Sequence, residues 1–177
     1  MLMFQPLLNP YQMLQLGVFD GNYFNYDSVE MQCLFPLPPE LNNNLDIAPE
    51  NLFMEGASQP KALWEEKGWI TPEDPCGWFQ WYIRYYKGRR IPELDAWQQK
   101  RWRSFTARHG AQVCKNGNGD LTKRLKQRQA LLHWGADPIP DVNISPEEKI
   151  SYLFTKKQLT TMSDPGIIED IELRRSV

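Results

Sequence analysis

The sequence predicts a mainly α fold: a compact helical domain with an extended irregular N-terminal arm. Three features of the chain carry that expectation. Between residues 77 and 134, aromatic and aliphatic side chains recur at i, i+3, i+4 and i+7, the spacing that puts them on one face of a helix. Start and stop signals bracket these stripes, with Pro, Asp or Asn near their beginnings and Gly after their ends. Residues 34–51, by contrast, are dense in Pro and Asn and follow neither a helical nor a strand period. A chain of 177 residues, 41% hydrophobic, is long enough to bury a core as one domain.

The elements follow in chain order. Asn9-Pro10 before YQMLQL and Gly17 reads as a short capped helix, and Asp20-Gly21 as a turn or hairpin. SQPKALWEEKG offers Ser58 as a cap, an early Pro60 and a terminating Gly68. In GWFQWYIRYYKGRR, Trp78, Trp81, Tyr82 and Tyr85 share one face, while Phe79, Ile83 and Tyr86 form a second apolar stripe. A helix apolar around most of its circumference belongs in the interior. Residues 77–87 are therefore expected at the centre of the core, with Gly88 ending the helix. A longer helix spans 93–115, with Trp102, Phe105 and His109 on one stripe and Leu94, Trp97 and Arg101 on its neighbour. A third spans 121–134, capped by Asp120, with Leu121, Leu125 and Leu132 buried and Gly135 as its stop. Asp137-Pro138-Ile139-Pro140 reads as a linker, Ser145-Pro146-Glu147-Glu148 as a capping box, and Asp164-Pro165 as the start of a last short helix. The expected organisation is an acidic, largely irregular arm at 1–57 packed across a Trp-rich basic helical core at 58–140, with a helical extension at 141–177.

The net charge of -2 conceals a segregation. Residues 1–77 carry -9, residues 78–128 carry +10 and residues 129–177 carry -3. A basic middle of this strength calls either for an anionic partner or for the acidic arm folded back upon it. No apolar run reaches the roughly 18 residues that span a bilayer, and residues 1–16 carry no basic residue of a secretory signal. The expectation is a soluble intracellular protein, cytoplasmic or nuclear, or associated with a virion, with no membrane partner. Cys33, Cys76 and Cys114 are odd in number and far apart, which suggests no disulfide framework.

Complete catalytic signatures are absent: the chain has no Walker A loop, no GxGxxG, no GxSxG and no HExxH. His109 with Cys114 and His133 with Cys76 lack the closely spaced ligand pairs of zinc motifs, so no metal or cofactor is expected and the two cysteines read as buried small side chains. Glu73 with Asp74 and Glu93 with Asp95 could do acid/base chemistry, but both pairs stand at expected helix starts, where acids complement the helix dipole. No catalytic residue is assigned.

The basic residues are more informative. Arg84, Arg89, Arg90, Arg101, Arg103, Arg108, Arg124 and Arg128 lie on three consecutive expected helices or at their ends, and with Lys87, Lys100, Lys123 and Lys126 they can present one basic face to a phosphate backbone. Interleaved rings suit stacking on single-stranded bases, provided a ring such as Trp97 or Trp102 is exposed. Four basic residues in the first part of LTKRLKQRQALLHW also fit a helix-turn-helix docking in the major groove.

LGVFDGNYF (16–24), KGWITPEDPCGWFQWYIRYYKGRR (67–90), RW with FTARHGAQV (101–113) and RQALLHWGAD (128–137) together resemble a family of small uncharacterised Trp-rich proteins seen in large DNA viruses, phages and some cellular genomes. The resemblance covers about two thirds of the chain, with GWFQWY and GRR its most specific part, and leaves out residues 141–177. It implies a shared fold around the Trp-rich core and no particular activity.

The favoured expectation is a nucleic-acid-binding protein, a DNA-binding protein among the candidates, using the eight arginines named above. The alternative is a structural or assembly subunit that meets protein partners through its acidic arm and C-terminal helices. An enzyme acting on nucleic acid or a nucleotide, with His109 or the carboxylates at 73–74, stands third.

Overall fold

A computed structural model describes residues 4–21, 51–53 and 55–161. The expected irregular stretch at 34–50, most of the Asp20-Gly21 hairpin and the helix after Asp164 lie outside these residues. The fold is mainly helical: among the described residues there are six α-helices and no strand, with one isolated bridge between Thr71 and Asp74. The helices are α1 (Pro10–Gln15), α2 (Lys61–Glu66), α3 (Trp78–Tyr86), α4 (Pro92–Asn116), α5 (Leu125–Leu132) and α6 (Pro146–Thr161). The chain divides into two compact units, Met1–Asn143 and Ile144–Val177. None of the helices described is long and apolar enough to cross a membrane.

In the first unit α3 is the central element, as its two apolar stripes require. Every residue from Trp78 to Ile83 is buried, Tyr85 is half-buried and Tyr86 is exposed. Gly77 precedes this helix with φ 93°, and a Cβ there would meet Ile70 and the Trp64 ring at 3.3 Å, so both backbone and space demand glycine. With no side chain at the N-cap, Gln80 reaches back instead: its Oε1 accepts from Cys76 N at 2.8 Å. The described parts of the N-terminal arm pack into the core. Asn9 and Gln12 form a reciprocal capping box on α1, which delivers Leu8, Met13, Leu14 and Leu16 to the interior. Tyr82 Oη donates to Leu8 O at 2.8 Å, and Leu8 N donates to Gly135 O at 3.0 Å, so the arm is pinned between α3 and the end of α5. Phe4 meets Trp81, Tyr82, Tyr85 and Trp102 edge-on, with centroids 5.1–5.6 Å apart.

Helix α4 packs along α5, with Val113, Leu131 and Ala136 forming a buried cluster against Trp102. Its start is fixed by Asp95, which accepts from Ile91 N at 2.9 Å and from the indole of Trp81 at 2.8 Å. Asp95 thus supports the helix start, as expected of an acid there, and also joins α3 to α4.

Four local expectations change. The third helix starts at Leu125 and not at residue 121, because Asp120 caps a turn, accepting from Thr122 N at 3.0 Å, and Arg124 is left-handed at φ 58°. The buried block of α5 is consequently Arg128–Leu132, with Leu121 and Leu125 only half-buried. The expected linker at 137–140 is packed, with Pro138 and Ile139 buried. Ser58 does not cap α2: its hydroxyl donates to Gln59 O, and Pro60 occupies the N-cap. In the second unit the capping box forms as expected, with Ser145 N donating to Glu148 Oε2 at 2.8 Å and Glu148 N to Ser145 Oγ at 3.2 Å.

Candidate functional site

The basic residues divide by what they touch. Asp74, 0% exposed, holds two of them: Arg89 grips it with both terminal nitrogens, at 2.8 and 2.6 Å, and Arg84 adds a contact at 3.1 Å and donates to Glu73 O. Asp74 therefore anchors arginines from the end of α3 and does not cap its start. Arg128 is buried, paired bidentately to Asp141 at 2.8 Å, and bonded to three carbonyls. These three arginines are spent inside the fold. Arg90 is exposed, lies 3.8 Å over the Tyr85 ring and donates to Tyr85 O at 2.6 Å. Arg103 is half-buried on α4, and Arg124 is exposed before α5. The continuous face expected from three helices is thereby interrupted. Of the four basic residues expected to dock the third helix in a major groove, Arg128 is buried and withdrawn from any such contact, while Lys123, Arg124 and Lys126 are exposed.

The division of labour after Gly88 has a direct test. Arg89→Ala removes a bidentate bond to a buried carboxylate and is expected to cost about 1–3 kcal/mol. Arg90→Ala, losing an exposed cap and a ring contact, is expected to cost about 1 kcal/mol or less. Thermal melts of the two single variants check this, and equal losses would give both residues the same structural role.

Arg101 and Arg108 remain, and they share a cleft of about 670 Å³ in the first unit. Its walls include the rings of Trp64, Trp69, Trp97, Phe105 and Trp134, and two further cations, Lys100 and Lys126. Among the described residues that line it there is no Asp or Glu. The guanidinium of Arg101 is half-buried, 4.6 Å from the Trp97 ring centroid, 5.5 Å from Trp69 and 5.6 Å from Trp134. One terminal nitrogen donates to Gln98 Oε1 at 3.0 Å and to Trp69 O at 3.3 Å. Burial lowers its pKa to about 10, which leaves it charged at neutral pH. No carboxylate of the described residues pairs with it.

Two histidines complete the wall. His133 is held down to about 4 by burial; its Nε2 accepts from Phe19 N at 3.4 Å, and its ring stacks on Phe19. Burial first, and then the charge of Arg108, lowers His109 as well. Both are neutral at pH 7, and Nδ1 of each, like Nε1 of Trp78, is buried with no hydrogen-bond partner among the described residues. The wall holds more hydrogen-bonding capacity than the fold uses. The pairings His109 with Cys114 and His133 with Cys76 bring no metal cluster: among the described residues no three His, Cys, Asp or Glu side chains could hold an ion. Cys76 is half-buried and Cys114 exposed, so the second is not the buried side chain expected.

The sequence pattern missed Trp69, which is 37% exposed at the cleft. The signal was its position after Gly68, outside every helical stripe, where no core face claims the ring. Of the pair expected to leave a ring open, Trp97 lines the cleft and Trp102 is half-buried, donating through Nε1 to Trp134 O at 2.7 Å. Fold and site together define a mainly helical protein with a cationic, aromatic-walled cleft. Comparison with family models, curated proteins and solved structures found no match.

Proposed function

We propose that the protein binds nucleic acid and that the cleft around Arg101 is where it does so. What supports this is the contrast between Arg101 and the fold's structural arginines. Arg84, Arg89 and Arg128 each have a buried Asp, whereas Arg101 is half-buried in a cage of indoles and pairs with no carboxylate of the described residues. Withdrawing a cation from water without pairing it is unfavourable, and a phosphate supplies the missing charge. Lys100, Arg108 and Lys126 around the same cleft extend the attraction, and the rings offer faces to bases.

Contacts to phosphates release counterions, so affinity for a single strand falls with salt at a slope of about -0.7 per phosphate. Three or four contacts from these cations predict a loss of roughly 20- to 50-fold between about 50 and about 200 mM salt. Fluorescence anisotropy of a labelled oligonucleotide at the two concentrations measures it. No binding at the lower salt would end this reading and leave the assembly subunit in its place.

A further inference from the structure

We infer that the cleft takes unpaired bases of a single strand and discriminates against duplex; this rests on the nucleic-acid reading and specifies its ligand. Three features of the site point the same way. The cavity, about 670 Å³, is of the size that encloses a small planar ligand, and a paired duplex offers no free base face to enter it. Trp69 stands at its edge, 37% exposed, on a backbone held by the Trp69 N to Trp64 O hydrogen bond at 2.8 Å. An indole this open, on a held backbone, offers a face on which a base can stack. Arg101 lies 5.5 Å from that ring, so a nucleotide stacked there has its phosphate within reach of a cation, with Lys100 and Arg108 on α4 beside it.

The alternative ligand geometry is poorly served. Duplex binding needs a basic surface spanning several phosphates or an element that enters a groove. Arg84, Arg89 and Arg128 are consumed by Asp74 and Asp141, and the Arg128–Leu132 part of α5 is buried. Arg90, Arg103 and Arg124 lie outside the cleft, whereas Lys100, Arg101, Arg108 and Lys126 line one concave site whose walls are rings.

The experiment uses the full chain and four probes: a labelled 12-nucleotide single strand, the same strand annealed to its complement, an abasic strand of equal length, and an acidic peptide of equal charge. The single strand is expected to bind at least tenfold more tightly than the duplex or the abasic strand, and to quench tryptophan fluorescence. Trp69→Ala is expected to weaken single-strand binding roughly tenfold, within the range for loss of one stacked base, while Trp69→Phe keeps most of it. Equal affinity for duplex or abasic strand, with the salt dependence intact, would overturn this inference and spare the nucleic-acid reading. Binding of the acidic peptide alone, or of none of the probes, would overturn both. The wild-type comparison decides the matter even where a Trp69 variant folds poorly.

Discussion

Arg128→Met is expected to destabilise the first unit by about 3–5 kcal/mol, the range for breaking a buried ion pair from one side. All five guanidinium N–H groups are satisfied within the protein: Nε by Lys123 O at 2.9 Å, one terminal nitrogen by Pro138 O at 3.0 Å and Asp141 Oδ1 at 2.8 Å, the other by Asp120 O at 3.2 Å and Asp141 Oδ2 at 2.8 Å. Methionine fills part of the volume but leaves a buried carboxylate without its counter-charge and takes a donor from three carbonyls, of which Asp120 O keeps one from Lys123 N. Gly117 shows how tightly the pair is enclosed, since a Cβ there would come within 2.2 Å of Asp141 Oδ2. A thermal melt should drop by about 10 °C or more. Replacing both partners, as in Arg128→Met with Asp141→Leu, should cost less than the sum of the single losses, because no lone charge then remains buried.

The same pair sets an acid limit. Burial pushes the Asp141 carboxyl up, but hydrogen bonds from Arg128 and Gly119 and the Arg128 charge outweigh it and hold the group below its ordinary value. A carboxylate with a depressed folded pKa stabilises the protein above its unfolded value, about 4. That contribution is lost as pH falls through the lower folded value. Melts below about pH 4 should therefore fall more steeply in the wild type than in Asp141→Asn.

Arg128 also shows where sequence reading reaches its limit. Helices α3 and α4 are legible because their apolar stripes, their Pro and Gly punctuation and their lengths agree, and burial of Trp78 and Trp81 follows from spacing alone. The start of α5 is not legible. A left-handed Arg124 has no local sequence signal, and an Asp before a basic run caps a turn as readily as a helix. In the site, Arg101 and Arg108 are found by composition, but composition cannot separate them from Arg84, Arg89 and Arg128. Their partners lie 10 to 15 residues away, in segments whose approach is a tertiary event. Asp74 reads as a helix-start acid until Arg89 folds onto it, and Asp137-Pro138-Ile139-Pro140 reads as a linker until Arg128 binds its carbonyl. Trp69 is overlooked for the opposite reason, belonging to no periodic stripe.

Arg101→Met is expected to separate binding from folding. The substitution keeps an apolar stem against Trp97 and removes a charge that no described carboxylate needs, so the fold should lose little. A phosphate at this position would lose a charge-assisted hydrogen bond of about 1.5–3 kcal/mol, which is roughly 10- to 100-fold in affinity. Arg128→Met, an equally cationic change placed inside the fold, should do the reverse.

Most direct is the affinity of Arg101→Met for a labelled single strand at low salt, read beside its melting temperature. The expected result is at least a roughly tenfold loss of affinity with a melting temperature close to that of the wild type. Unchanged affinity, or a thermal loss as large as that of Arg128→Met, would contradict it and make Arg101 a packing residue of the core.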